Sequence, residues 1–350
     1  MFLASLLRRI VFSYFDYKTY NFNIEKTEFV VIHIPDQIGD AMAIFPVIRA
    51  LELHKIKHLL IVASTINLDV FNALNLEQTK LTLVTMPMQD HATLKEIKNL
   101  ANNITQLYGT PDLCIEAMRK KNLKTILFIS QLKAKTNFQV VGFTMKCYSP
   151  LCKEASRMDQ HLRAPVPMTW AFMMREAGFP AVRPIYELPL SEKVIDEVRE
   201  ELRTLGSYIA LNLDGSAQER TFSLSVAEKL IAKIQSEIDM PIVIVHGPKG
   251  EDKAHELADS NDKVHYLSLS PTINRSAAII KNAYIAITPD TSLLHMASAY
   301  NIPVVAIYAD YKTRWPAMAD VSESVVVGKK IDHINLDEFG KALTRVLARI

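Results

Sequence analysis

Residues 286–308 read AITPDTSLLHMASAYNIPVVAIY. A β-branched run ends at Thr288, Pro289 stops it because proline has no amide to donate, and Asp290 or Thr291 caps a helix starting near Ser292. A second β-branched run closes the stretch at Tyr308. Strand, helix, strand in so short a span is the pattern of a βαβ unit on a parallel sheet.

The rhythm extends in both directions. Upstream lie SYIALNL (207–213) and PIVIVHG (241–247), with helical SVAEKLIAKIQSEI, GEDKAHELAD and NRSAAIIKNA between the strands. A first series runs EFVVIHI (28–34), HLLIVAS (58–64), KLTLVTM (80–86), DLCIEA (112–117) and FQVVGF (138–143), with helix-like AMAIFPVIRALELH and ATLKEIKNLANNI among them. The two series are separated by residues 146–190, which read as a helix and a linker carrying five prolines between Pro165 and Pro189. A helix, SEKVIDEVREELRTLG, opens the second series. The expectation is an α/β protein of two Rossmann-like, doubly wound domains facing a central cleft: 26–185 and 186–350, preceded by an N-terminal amphipathic segment, 1–25.

Composition narrows the function. With 350 residues, 49% hydrophobic and 22% charged, the chain can bury two cores. Forty Lys and Arg against 38 Asp and Glu leave a net charge of +2, too little for a polyanion such as nucleic acid, so an anion must be met locally. Cys114, Cys147 and Cys152 are odd in number and lack metal-ligand spacing, which fits unpaired thiols in a reducing compartment. No apolar run is long enough to span a bilayer. The first residues, MFLASLLRRIVFSYFDYKTY, fit either a helix lying on an anionic membrane surface or one docked on its own domain. Neither a dinucleotide fingerprint nor a Walker loop occurs.

Four strand-to-helix turns carry the candidate chemistry. In HIPDQIGDAMAIFP, Asp40 follows the first strand, where a carboxylate either takes a proton from a hydroxyl or caps the helix; Asp36 is the competing carboxylate. In PDTSLLH, the helix start offers unpaired amides and dipole charge to a phosphate, and His295 lies one turn in, as a ligand contact or a structural residue. In LNLDGSAQERTF, Arg220 offers a planar fork to a diphosphate or is a solvated loop charge. In HGPKGEDKAHEL, Glu251 and Asp252 are ribose-binding or first-turn acids.

In order and spacing these turns resemble the lipopolysaccharide core heptosyltransferases of glycosyltransferase family 9, over roughly residues 28–315. IGDAMAIFPVIRAL resembles the family's I-G-D followed by proline, and PDTSLLHMASAYNIPVVAIY its D-T-G-x-x-H-x-A-A followed by a strand. The resemblance implies the GT-B fold and inverting, metal-independent transfer of heptose from ADP-heptose to the inner core of lipopolysaccharide or lipooligosaccharide, with no cofactor. It implies Asp40 as general base. Amides of Thr291, Ser292 and Leu293 would hold the donor diphosphate, with Asp290 and His295 lining that site, Arg220 at the position of the family's Lys-x-Trp lysine, and Glu251 near the ribose. The acceptor, a lipid-linked core oligosaccharide, would fall to the first domain, where Arg119 and Lys120, with Lys121 and Lys124, are candidates or a solvated helix face. A cytoplasmic enzyme, peripheral on the inner face of the inner membrane, follows from that acceptor. Departures are Ser292 for the family's glycine, Arg220-Thr221-Phe222 for Lys-x-Trp, and Ile34, beside His33, for a basic residue. A transferase using a UDP- or GDP-sugar or a protein acceptor, and a silent nucleotide-sugar-binding protein, are the alternatives.

Overall fold

The computed structural model describes residues 12–120, 122–142, 145–215, 217–309 and 313–350. The chain divides into two compact units, Met1–Ile185 and Tyr186–Ile350.

Unit 1 is built on five parallel strands: β1 (Phe29–Ile34), β2 (His58–Ser64), β3 (Lys80–Met86), β4 (Leu113–Glu116) and β5 (Thr136–Phe138), in the order β3-β2-β1-β4-β5. Five of the six β1 residues are buried, because helices cover both faces of a doubly wound sheet. The helices are α1 (Ile38–Ala43), α2 (Phe45–Leu53), α3 (Leu94–Tyr108), α4 (Leu123–Leu132), α5 (Cys152–Arg157) and α6 (Val166–Glu176). The single helix expected over AMAIFPVIRALELH is two: Pro46 lies in the first turn of α2, where its missing amide costs nothing, and the chain turns at Ile44. β5 stops at Phe138 rather than running through FQVVGF, since the Gln139 side chain takes the amides of Val141 and Gly142 away from a ladder (2.5 and 2.8 Å).

Unit 2 carries six parallel strands: β6 (Ile209–Asn212), β7 (Ile242–Val245), β8 (Val264–Tyr266), β9 (Ile285–Pro289), β10 (Val304–Tyr308) and β11 (Ser322–Val326), in the order β11-β10-β9-β6-β7-β8. Its helices are α7 (Glu192–Glu201), α8 (Leu224–Glu237), α9 (Glu251–Asp259), α10 (Ile273–Asn282), α11 (Ser292–Ala299) and α12 (Leu336–Leu347). The short edge strands β8 and β11 escape the sequence reading because their side chains are only partly buried and their pattern is correspondingly weak.

Each strand order reverses once, between β1 and β4 in unit 1 and between β6 and β9 in unit 2. At such a switch point the following connections leave in opposite directions and open a crevice at the carboxyl ends of the strands. The loops at those two points are therefore the places to look for chemistry.

Residues 1–11 of the N-terminal segment lie outside the described residues. Beyond them the segment is docked on unit 1. Asp16 accepts from the Lys146 and Cys147 amides (2.9 and 3.0 Å), Asn137 donates to the Tyr17 hydroxyl (2.9 Å), and the Phe22 ring packs against Phe138. Among the described residues no helix is long and apolar enough to cross a membrane. The three cysteines are free and buried.

Candidate functional site

At the β1/β4 switch point, β1 ends at Ile34 and the chain turns through Pro35, Asp36 and Gln37 into α1. The turn is held rigidly. Asn67 donates to the Ile34 carbonyl (2.8 Å), Ser64 to the Asp36 carbonyl (2.7 Å), and the Gln89 amide to the Pro35 carbonyl (3.0 Å). The N-cap position belongs to Gln37, so Asp40 stands inside the first turn rather than capping the helix. A carboxylate there gains from the helix dipole, which favours its charged form. Burial outweighs that gain. It pushes the Asp40 carboxyl up to about 7, helped by the like charge of Asp36 and opposed by Arg119 and Lys120. Asp36 itself is 7% exposed, and burial raises its carboxyl too, against the pull of Lys120. Two carboxyl groups are thus crowded at one strand end, with one of them poised at neutrality.

The β4 side of this point supplies the cations. Arg119 and Lys120 were expected to meet an acidic acceptor. The structure pairs both within unit 1: Arg119 with buried Asp159 at 2.5 Å, and Lys120 with Asp90 at 2.6 Å and Asp36 at 3.5 Å. Lys124 donates to the carbonyls of Gln89 and Asp90 (3.0 and 2.7 Å). The positive face read from the run RKKNLK is therefore largely neutralised by its own unit, and Lys121 lies outside the described residues. Asp90 and Asp159, 30 and 40 positions away in sequence, offered no local signal.

At the β6/β9 switch point, β6 opens into a loop that folds back on itself. A Cβ at Gly215 would overlap Arg220, so only glycine lets the loop close, and the Phe222 amide then bonds the Leu213 carbonyl (2.9 Å). Closure brings half-buried Arg220 to the end of β9, where Nη1 donates to the Asp290 carbonyl at 2.9 Å. Burial raises the Asp290 carboxyl, and Arg220 counters it.

Thr291 is the N-cap of α11: its Oγ1 accepts from the Leu293 amide (3.3 Å), so that amide has a local partner. Asn212, on β6, donates to both Thr288 Oγ1 (3.0 Å) and Thr291 Oγ1 (3.1 Å), tying the two loops together. Ser292 begins the helix with dipole charge at its amides. Asn212 went unread in the sequence because a buried asparagine at a strand end looks like any other polar stop.

His295 differs from the expectation of a residue facing the donor. It is 4% exposed, its ring stacked on Tyr186 at 4.5 Å and tilted toward Trp315 at 5.3 Å. Burial pushes its pKa down to about 3, so the ring is neutral near pH 7 and carries no charge for a phosphate. Glu251 is exposed at the start of α9. Beside it, Asp214 pairs with Lys253 at 2.8 Å and packs against Gly250 so closely that a Cβ would overlap its carboxylate. Asp214 is thus the better-held acid of that corner.

The profile of glycosyltransferase family 9 (heptosyltransferase) matches residues 166–337, a span that includes Arg220, Glu251 and Asp290 to His295 but not Asp40. The uncharacterized protein YeeL of Escherichia coli (strain K12) is 88% identical over 234 residues, which is 67% of this chain and all of that protein. Among solved structures, the glycosyl transferase family 9 protein of Veillonella parvula is similar at TM-score 0.71 and 13% identity, covering 93% of this chain and 98% of that one. The ADP-heptose lps heptosyltransferase II of E. coli is similar at TM-score 0.67 and 16% identity, covering 91% and 98%. These likenesses show the fold, two parallel-sheet α/β units of the GT-B type.

Proposed function

Because the chain belongs to glycosyltransferase family 9 and is a glycosyltransferase, we propose that it moves a heptose from ADP-heptose to the core oligosaccharide of a lipopolysaccharide or lipooligosaccharide, with inversion at the anomeric carbon. The observation that carries the reading is Asp40, a carboxyl held near neutrality at the switch point of unit 1. A general base works best when its pKa lies near the operating pH, where it is ionised often enough to accept a proton and basic enough to keep it.

In the proposed step the acceptor hydroxyl gives its proton to Asp40 as its oxygen attacks the anomeric carbon. The bond from that carbon to the diphosphate oxygen breaks, and its electron pair leaves on ADP. Unit 2 supplies positive potential for that charge: the amides at the start of α11, around Thr291 and Ser292, and the Arg220 guanidinium. The bond to the Asp290 carbonyl anchors Arg220 at the end of β9, where its planar guanidinium is the cation proposed for the diphosphate. Asp290 helps hold Arg220, and Glu251 or its neighbour Asp214 lies where a ribose hydroxyl would be met. Unit 1 takes the acceptor. The acceptor is lipid-linked in this reading, so the work is done at the cytoplasmic face of the inner membrane. The apolar and basic residues 1–11 are the proposed contact with that surface.

Donor identity is tested by isothermal titration of the full chain with ADP, UDP and GDP. ADP should bind preferentially, and Arg220→Ala should weaken it about tenfold, the size of one charge-assisted hydrogen bond. Preference for UDP or GDP would replace the donor. No binding of any nucleotide would refute a transferase of this kind.

A further inference from the structure

Buried beneath the Asp40 turn lies a pair that the proposed step does not use. Glu116, the last residue of β4, is 1% exposed, and its Oε2 stands 2.9 Å from Nδ1 of His33, which is fully buried on β1. The His33 ring stacks on Phe128 at 3.8 Å and 12°, so it has little freedom to turn. The other carboxylate oxygen accepts from the Met118 amide at 2.9 Å. A buried ionisable pair of this sort is costly in desolvation and is weak as a source of stability. Its geometry fixes something else. The chain from Glu116 makes a tight turn, with the Ala117 amide on the His33 carbonyl (3.0 Å) and the Lys120 amide on the Met118 carbonyl (2.6 Å). The turn ends with the two cations nearest to Asp40 in effect, Arg119 and Lys120.

We propose that Glu116 is a positioning residue for Asp40: by holding the Met118 amide and the His33 ring, it fixes the turn that sets Arg119 on Asp159 and Lys120 on Asp90 and Asp36, at the strand end that carries Asp40. This rests on the reading of Asp40 as the base. The charged groups facing Asp40 are Asp36 on its own turn and Arg119 and Lys120 on the β4 turn; Asp159 and Asp90 in turn face those cations. Burial and then Asp36 push the Asp40 proton affinity up and the cations pull it down, so the placement of the turn sets the opposing part of that balance.

The test reads Asp40 directly, by carbon-13 NMR titration of aspartate-labelled full-length protein, with the resonance identified by its absence in Asp40→Asn. Glu116→Met fills the same space but accepts nothing from the Met118 amide; Asp40 should then titrate about one pH unit higher, the low end of what loss of a nearby opposite charge produces. Glu116→Gln retains an oxygen for that amide and should leave Asp40 near its wild-type position. Lys120→Met, at a partly exposed side chain, provides the second variant should Glu116→Met not fold, and should also raise it. An unmoved Asp40 in folded Glu116→Met, or in Lys120→Met, overturns the proposal. Neither donor nor acceptor is present in this titration, so its outcome is separate from whether Asp40→Asn abolishes transfer.

Discussion

Replacing Asp40 by Asn should stabilise unit 1, and by more at pH 8 than at pH 4.5. The folded protein holds the Asp40 carboxyl at about 7 against an ordinary 3.8. Between those two values the folded chain keeps a proton that the unfolded chain has released, so stability falls as pH rises through that window and levels off above it. At about 1.36 kcal/mol per pH unit the full gap corresponds to a ceiling of about 4 kcal/mol. Asp40 keeps some solvent contact, which screens the charge and brings the expected cost to roughly 2 kcal/mol. Asparagine has the same shape and carries none of it. For a unit of this size the gain amounts to about 5 °C in Tm at pH 8, since 1 kcal/mol moves the midpoint of a 150–250-residue domain by about 2–4 °C. Scanning calorimetry at several pH values, following the transition of unit 1, gives the comparison. A Tm difference that stays constant from pH 4.5 to 8, or an asparagine variant less stable than wild type at pH 8, would refute the reasoning.

Removing the like charge with Asp36→Asn should lower the Asp40 titration, so the alkaline rise of the transfer rate should begin at lower pH; a profile that stays put or moves upward contradicts the coupling of the two carboxyls. In unit 2, burial holds the His295 pKa at about 3, far below its ordinary 6.5. The unfolded chain therefore binds a proton that the folded one refuses, and stability from this site is lost as pH falls below 6.5 toward 3. His295→Phe, which keeps a ring for Tyr186 to stack on, should flatten that acid loss in the calorimetric transition of unit 2, and an equally steep loss in the variant would show that His295 is not its source.

How far the sequence carried these conclusions depends on the range of the interactions. Strands such as Phe29–Ile34 and Val304–Tyr308 are legible because burial on both faces demands an unbroken β-branched run, and the helix start at Ser292 is legible because proline and threonine punctuate it. Asp40 could be singled out by its place after a strand, but its titration near 7 depends on burial and on Asp36, Arg119 and Lys120 together. The pairing of Arg119 with Asp159 joins residues 40 apart, and no local pattern marks it. His295 went the other way: a histidine one turn into a helix that follows a strand and a proline looks like a ligand, until Tyr186, over 100 residues upstream, stacks on its ring. The acids near Gly250 show the same limit, since the backbone approach that brings Asp214 there is invisible in the string of letters.

The central claim is that Asp40 deprotonates the acceptor. It is tested most directly by following ADP release from ADP-heptose, with a delipidated core oligosaccharide as acceptor, from pH 5.5 to 9 in wild type and Asp40→Asn. The account predicts a wild-type rate that rises through an apparent pKa near 7 and then levels, and a variant slower by about 10²–10⁴ with ADP affinity unchanged. An asparagine variant that transfers within tenfold of wild type would contradict it.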